Sequence, residues 1–115
     1  MIFLPKSKDD IINELLKLNK EQLNNYLLKA VINENVSVLN LLFEYCKIDV
    51  NVEDGNETAL MWASRYGNLN AAKELIKRGA NVNFKNKGGW SALKLAGLYG
   101  ALDIEKLLIS YGAKE

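Results

Sequence analysis

The 115-residue sequence predicts an all-α solenoid, built of stacked helix–turn–helix units with β-hairpin-like loops between them. Three observations carry this reading. The chain matches itself at an offset of 33 residues (Thr58 over Ser91), and about half of positions 58–80 are identical to their counterparts. Within each copy, apolar residues recur at spacings of three and four, the period of a helix with one buried face. Glycines fall where each helix should stop. A unit of this length cannot bury its apolar face alone, so neighbouring copies must stack.

Taken in order, the chain opens with an apolar Met1-Ile2-Phe3-Leu4 that meets Pro5-Lys6. It lacks both the basic start and the apolar length of a secretory leader. Ser7 with Asp10 has the form of a capping box, and Ile11, Ile12, Leu15, Leu16 and Leu18 follow as an amphipathic helix over about 8–18. This helix is expected to cover the open end of the solenoid. Asn19 with Gln22 reads as a second helix start, with no hairpin before it, followed by Leu23, Leu27, Leu28, Val31 and Ile32. These last residues open a degraded repeat. In it Leu27, Ala30, Val36, Leu42 and Phe43 precede Leu60, Ala63, Leu69, Leu75 and Ile76 by the same offset. Asp49-Val50-Asn51 precedes Asn81-Val82-Asn83 by 32 positions (81 minus 49), so one residue is missing between Val52 and Glu57.

The two later copies are clearer. Thr58 and Ser91 are placed to N-cap a first helix, and Gly67 and Gly100 to end it in a left-handed conformation. A second helix is expected over about 69–78 and 102–111, closed by Gly79 and Gly112. Between the copies, Asn81 to Trp90 reads as extended and turn-rich, and Gly88-Gly89 suits a tight hairpin-like turn. Ala63, Ala71, Ala72 and Ala96 leave room for helices to approach closely. The expected organisation is one domain, 1–115. It divides into a capping helix at about 6–22, a degenerate repeat at 23–51, a repeat at 52–83 and a C-terminal repeat at 84–115.

Composition narrows the chemistry. The chain is 49% hydrophobic and 25% charged, with 15 Lys+Arg against 14 Asp+Glu and a formal charge of +1. That balance argues against a nucleic-acid or acidic-membrane binder, which needs a basic footprint. One Cys and no His leave no internal disulfide, no ordinary zinc ligand set and no imidazole base. No run reaches the roughly 18 apolar residues of a membrane span. A reducing, cytoplasmic setting without cofactor is expected, and no enzymatic activity.

The period, the Thr58-Ala59-Leu60-Met61-Trp62-Ala63 and Ser91-Ala92-Leu93-Lys94-Leu95-Ala96 starts, and the Gly79-Ala80-Asn81-Val82-Asn83 ending together resemble the ankyrin repeat. The resemblance covers about 24–113. Two departures stand out. Ala59 and Ala92 replace the family's helix-starting proline, and Met61 and Lys94 replace a histidine that ties neighbouring turns by hydrogen bonds. Both imply an array less stable than an ideal one.

The resemblance also implies protein–protein binding through turn tips and the inner face of the first helices. Carried over by position, it selects Asp54, Glu57, Met61, Arg65 and Tyr66 in the middle copy. In the last copy it selects Lys87, Trp90, Lys94, Leu98 and Tyr99, with Phe84 and Lys85 on the intervening loop. Trp62 and Leu95 are placed on the same face. Trp, Tyr and Arg dominate interface energetics; the plainer reading is that Trp62, Tyr66 and Tyr99 pack between repeats. The remaining candidates reduce to structure. Asp9-Asp10 complements a helix dipole, Gly88-Gly89 lacks phosphate-loop spacing, and Asp49, Asp54 and Glu57 lack calcium-loop spacing. Cys46 stands where later copies have Gly79 and Gly112 and is expected to pack at a helix end. Lys85, Lys87, Lys94 and Trp90 form too weak a cluster for nucleic acid. The alternative function is self-association as a structural module. It would proceed through a C-terminal face carrying Leu95, Leu98, Ile104 and Leu107 and give a weak dimer of an otherwise monomeric chain.

Overall fold

The computed structural model describes residues 7–114; Met1–Lys6, with the leader question they pose, and Glu115 lie outside the described residues. Among the described residues, seven helices and one short strand pair follow in order: α1 Lys8–Leu16, α2 Lys20–Ile32, α3 Val36–Tyr45, β1 Glu53–Asp54, β2 Glu57–Thr58, α4 Ala59–Tyr66, α5 Leu69–Lys77, α6 Ala92–Leu98 and α7 Leu102–Ser110. Helices α2, α4 and α6 stack as an inner layer, α3, α5 and α7 as an outer one, and α1 packs on α3. The result is a rod of 50 × 25 × 22 Å.

Each start and stop has a local cause. Ser7 accepts from the Asp10 N–H and Asn19 from the Gln22 N–H, with both side chains at the third position answering back, so both expected capping boxes form. The chain therefore turns at 17–19, ahead of the expected 22/23 division, which falls inside α2. Thr58 and Ser91 cap the Met61 and Lys94 N–H groups at 3.3 and 3.2 Å. Gly67 ends α4 at φ 69°, and Gly79 follows α5 at φ 95°, a region closed to most side chains.

The first repeat ends differently. Glu34 takes φ 50° where the later copies have Gly67 and Gly100. A glutamate tolerates the left-handed region poorly, yet here its carboxylate accepts the Asn70 N–H of the next repeat at 3.0 Å. Asn68 answers by donating to the Val31 and Ile32 carbonyls at 2.7 and 2.9 Å, the open end of α2. Cys46 closes α3 with an extended backbone in place of a left-handed one, and its thiol is buried.

The core is a ladder of Leu27, Leu39, Leu42, Leu60, Leu75, Ile104 and Leu108, all fully enclosed. Each such side chain contributes about 1.5–3 kcal/mol. Ala63, Ala71, Ala72 and Ala96 are also fully enclosed, bringing helix backbones together. A second ladder is polar. Asn51 accepts the Asn81 N–H at 2.7 Å and approaches the Gly79 carbonyl at 3.5 Å. Asn83 accepts the Lys114 N–H at 2.8 Å and donates to the Gly112 carbonyl at 3.1 Å. One asparagine per repeat thus binds the end of the next, a tie the departures at Met61 and Lys94 do not supply.

Candidate protein-interaction surface

The inner layer carries the expected surface, with its loops projecting as fingers. The first finger is a true hairpin: Glu53 pairs with Thr58 and Asp54 with Glu57. Its tip residues Gly55 and Asn56 both have positive φ, 58° and 75°, as the turn matched to strand twist requires. The second finger has no strand pair and is shaped by Asn86. That side chain accepts the Gly88 and Trp90 N–H groups at 3.0 Å each, and its backbone N–H donates to the Trp90 carbonyl. Of the glycine pair, Gly89 alone has a positive φ. The Trp90 ring lies over Gly88 and remains 41% exposed.

Along the inner helices a cluster forms around Arg65. Its guanidinium pairs with Glu57 and donates to the Tyr99 hydroxyl at 2.9 Å. It also sits 5.5 Å from the centres of both the Trp62 and Tyr99 rings. Trp62 stacks on Tyr66 one turn further on, at 5.9 Å and 18°. Hydrogen bonding to Glu57 raises the Arg65 pKa against the opposing effect of burial, with Tyr99 adding to the rise. The cation is thus fixed between two repeats, and two tyrosines are left half in solvent, Tyr66 at 50% and Tyr99 at 51%.

Most residues singled out in the sequence reach this side. Asp54, Lys85, Lys87, Lys94 and Leu98 are exposed; Glu57, Trp62, Arg65 and Phe84 are half-buried. Met61 is a correction. It is 1% exposed and packs between helices: the third residue of α4, whose N–H donates to the capping Thr58, points into the stack. Leu95, at 2%, is likewise core and not a companion to Trp62 on the surface. The expected apolar C-terminal face needs the same revision. Leu95 and Ile104 are buried and Leu107 is half-buried, whereas Leu98 remains 62% exposed. Lys94 and Glu105 occupy the positions of Met61 and Ala72, which the next repeat covers in the middle copy.

One feature had no sequence signal of its own. Because no finger precedes α2, an open trough of about 450 Å³ lies between α2 and the first finger, lined by Lys20, Glu21, Asn24, Leu28, Glu53 and Asp54 among others. It could have been found only by asking what a missing finger uncovers.

Two layers of paired helices with a finger at each junction define a repeat protein of the solenoid class. The pattern described as Ankyrin repeats (3 copies) matches residues 27–115. The chain belongs to the ankyrin-repeat family. It is 37% identical over 86 residues to the Notch-regulated ankyrin repeat-containing protein of Xenopus laevis, spanning 71% of this chain and 75% of that one. It is 38% identical over 106 residues to a glycerophosphocholine phosphodiesterase of Candida albicans, but spans only 9% of that protein. Among solved structures, a chain in the Bd0816 predatory endopeptidase from Bdellovibrio bacteriovorus in complex with immunity protein Bd3460 matches at TM-score 0.69 and 36% identity. That match covers 77% of this chain and 47% of the other. Ankyrin repeats are generally protein–protein interaction modules, typically without catalysis of their own. Among the described residues, no helix is long and apolar enough to cross a membrane.

Proposed function

We propose that this chain is a reversible binding module for a partner protein, gripped by the fingers and the inner helices. The observation that supports this most is the Arg65 cluster. It holds Tyr66 and Tyr99 half exposed on a rigid scaffold, so little conformational entropy is lost on docking. Trp90 on the second finger adds a third aromatic of the type that anchors interfaces. The same reading makes the protein a cytoplasmic monomer with no cofactor, nucleic acid or membrane partner; its lone thiol is buried and its charges nearly balance.

The test begins with affinity capture from the native cell, followed by calorimetry on the captured protein. Trp90→Ala and Tyr66→Ala should each weaken binding by about 2 kcal/mol with little change in melting temperature. Lys73→Ala, exposed on α5 in the outer layer, should change neither. If the aromatic variants bind as tightly as the parent, the inner-layer surface is not the site.

A further inference from the structure

The net charge of +1 conceals a strong local separation of charge. Between Lys47 and Arg65 the chain carries Asp49, Glu53, Asp54 and Glu57 and no basic residue. Between Arg78 and Asp103 it carries Lys85, Lys87 and Lys94 and no acidic one. The repeat offset makes the inversion exact in position: Asp54 of the first finger corresponds to Lys87 of the second (87 minus 54 is 33). Glu53, Asp54, Lys85 and Lys87 are all exposed, and among the described residues no ion pair joins the two fingers.

We propose that the finger surface recognises an extended partner segment of opposite polarity, with a basic side chain entering the trough beside the first finger and an acidic one meeting the second. This rests on the binding-module reading and specifies the partner's chemistry. Three physical points support it. Stacked repeats are separated by the roughly 8–10 Å of packed helices. The Debye length at physiological salt is about 8 Å, so each finger presents its own sign to a partner. An extended chain rises about 3.3 Å per residue and alternates its faces, so a basic and an acidic residue four positions apart share one side about 13 Å apart, enough to reach from the first finger's trough to the second finger. The trough suits the basic member. Its wall sets Glu21, Glu53 and Asp54 against the single cation Lys20, and Leu28 offers apolar surface to the stem of a long side chain. Lys94 donates to the Gly89 carbonyl at 3.1 Å, holding one cation against the second finger.

The experiment uses the whole chain and three synthetic peptides, followed by amide chemical shifts at low and high salt. One peptide is acetyl-Arg-Ala-Ala-Ala-Glu-amide; the others replace either its Arg or its Glu by Ala. The bipolar peptide should bind about fivefold more tightly than either control. It should shift amides around Glu53–Asp54 and Lys85–Lys87 together, and lose that advantage at high salt. Reversing one finger, by Glu53→Lys with Asp54→Lys or by Lys85→Glu with Lys87→Glu, should abolish the preference. Reversing both should restore it, because the peptide can bind in the opposite direction; this recovery also excludes misfolding as the cause. Equal binding of all three peptides, or no recovery in the combined variant, overturns the proposal. So does self-association at low salt that buries the fingers, since a second copy would then be the occupant. A captured partner that needs Trp90 but ignores both reversals would overturn this inference and leave the binding-module reading standing.

Discussion

Glu34 shows how a single residue trades one cost against another. Its left-handed backbone costs about 1 kcal/mol relative to glycine, and its carboxylate recovers a similar amount by capping α5 of the next repeat. Glu34→Gly should therefore be nearly neutral, whereas Glu34→Ala keeps the strain, loses the cap and should destabilise by about 1 kcal/mol in urea titrations. Equal losses in the two variants would show that the cap contributes nothing. Cys46 gives a second expectation, with its sign set by burial, which pushes the thiol pKa above the ordinary value. The unfolded chain releases that proton at lower pH than the folded one. The stability contributed by the protonated thiol is whole below the unfolded pKa of roughly 8.5 and is lost as pH rises through the folded value. The stability gap between the parent and Cys46→Ala should narrow across that window, as read from urea midpoints.

The elements were legible wherever their signals are local. Capping boxes, Thr58, Ser91 and the terminal glycines mark helix ends through bonds made within four residues, so α1, α2 and α4 to α7 lie close to where their residues place them. The end of α2 was hidden because Glu34 does a glycine's work with help from Asn70, thirty-six positions away in sequence (70 minus 34). The first finger was expected from Asp54 and Glu57 as turn residues, but its strand pairing and tight Gly55-Asn56 turn were not, because the deletion before Glu57 obscures its register. For the candidate surface, repeat position told which element each residue lies on but not how deep it sits. Met61 and Asp54 both occupy family contact positions, and packing of the next repeat alone decides that one is core. The stop signals can be checked directly. Gly79→Val should cost about 1 kcal/mol or more from backbone strain alone, since no atom lies within 4 Å of an added Cβ. Lys77→Ala should be near neutral, and coincident melts for the two would refute the assignment of the helix end.

At the scale of the molecule, stability is a sum over neighbours, and the two junctions use different means. Repeats one and two are joined through Glu34 and Asn68. Repeats two and three are joined through Arg65 and Tyr99, while Arg78 ties α5 to α3 by pairing with Glu74 and Glu44 over the Phe43 ring. The N-terminal end depends on α1, whose single fully buried residue is Leu15. Leu15→Ala should cost about 2–4 kcal/mol locally. Hydrogen exchange should then show α1 opening well before the helices of repeats two and three, as expected of a quasi-one-dimensional fold. Uniform acceleration along the whole rod would mean that the cap and the repeats fold as one unit.

The asparagine ladder has a consequence for heredity. Each rung needs one side chain from its own repeat and backbone groups from the next, so a repeat carries its half of every bond it makes. A gene that duplicates the middle repeat, 52–83, in frame therefore copies both the donating asparagine and the backbone groups that receive one. The lengthened chain should fold at once, with a third finger and an extra rung, before any compensating mutation arises. The ladder also tolerates a change of register in the finger, since the Asn51 and Asn83 rungs both form although these residues lie 32 and not 33 positions apart (83 minus 51).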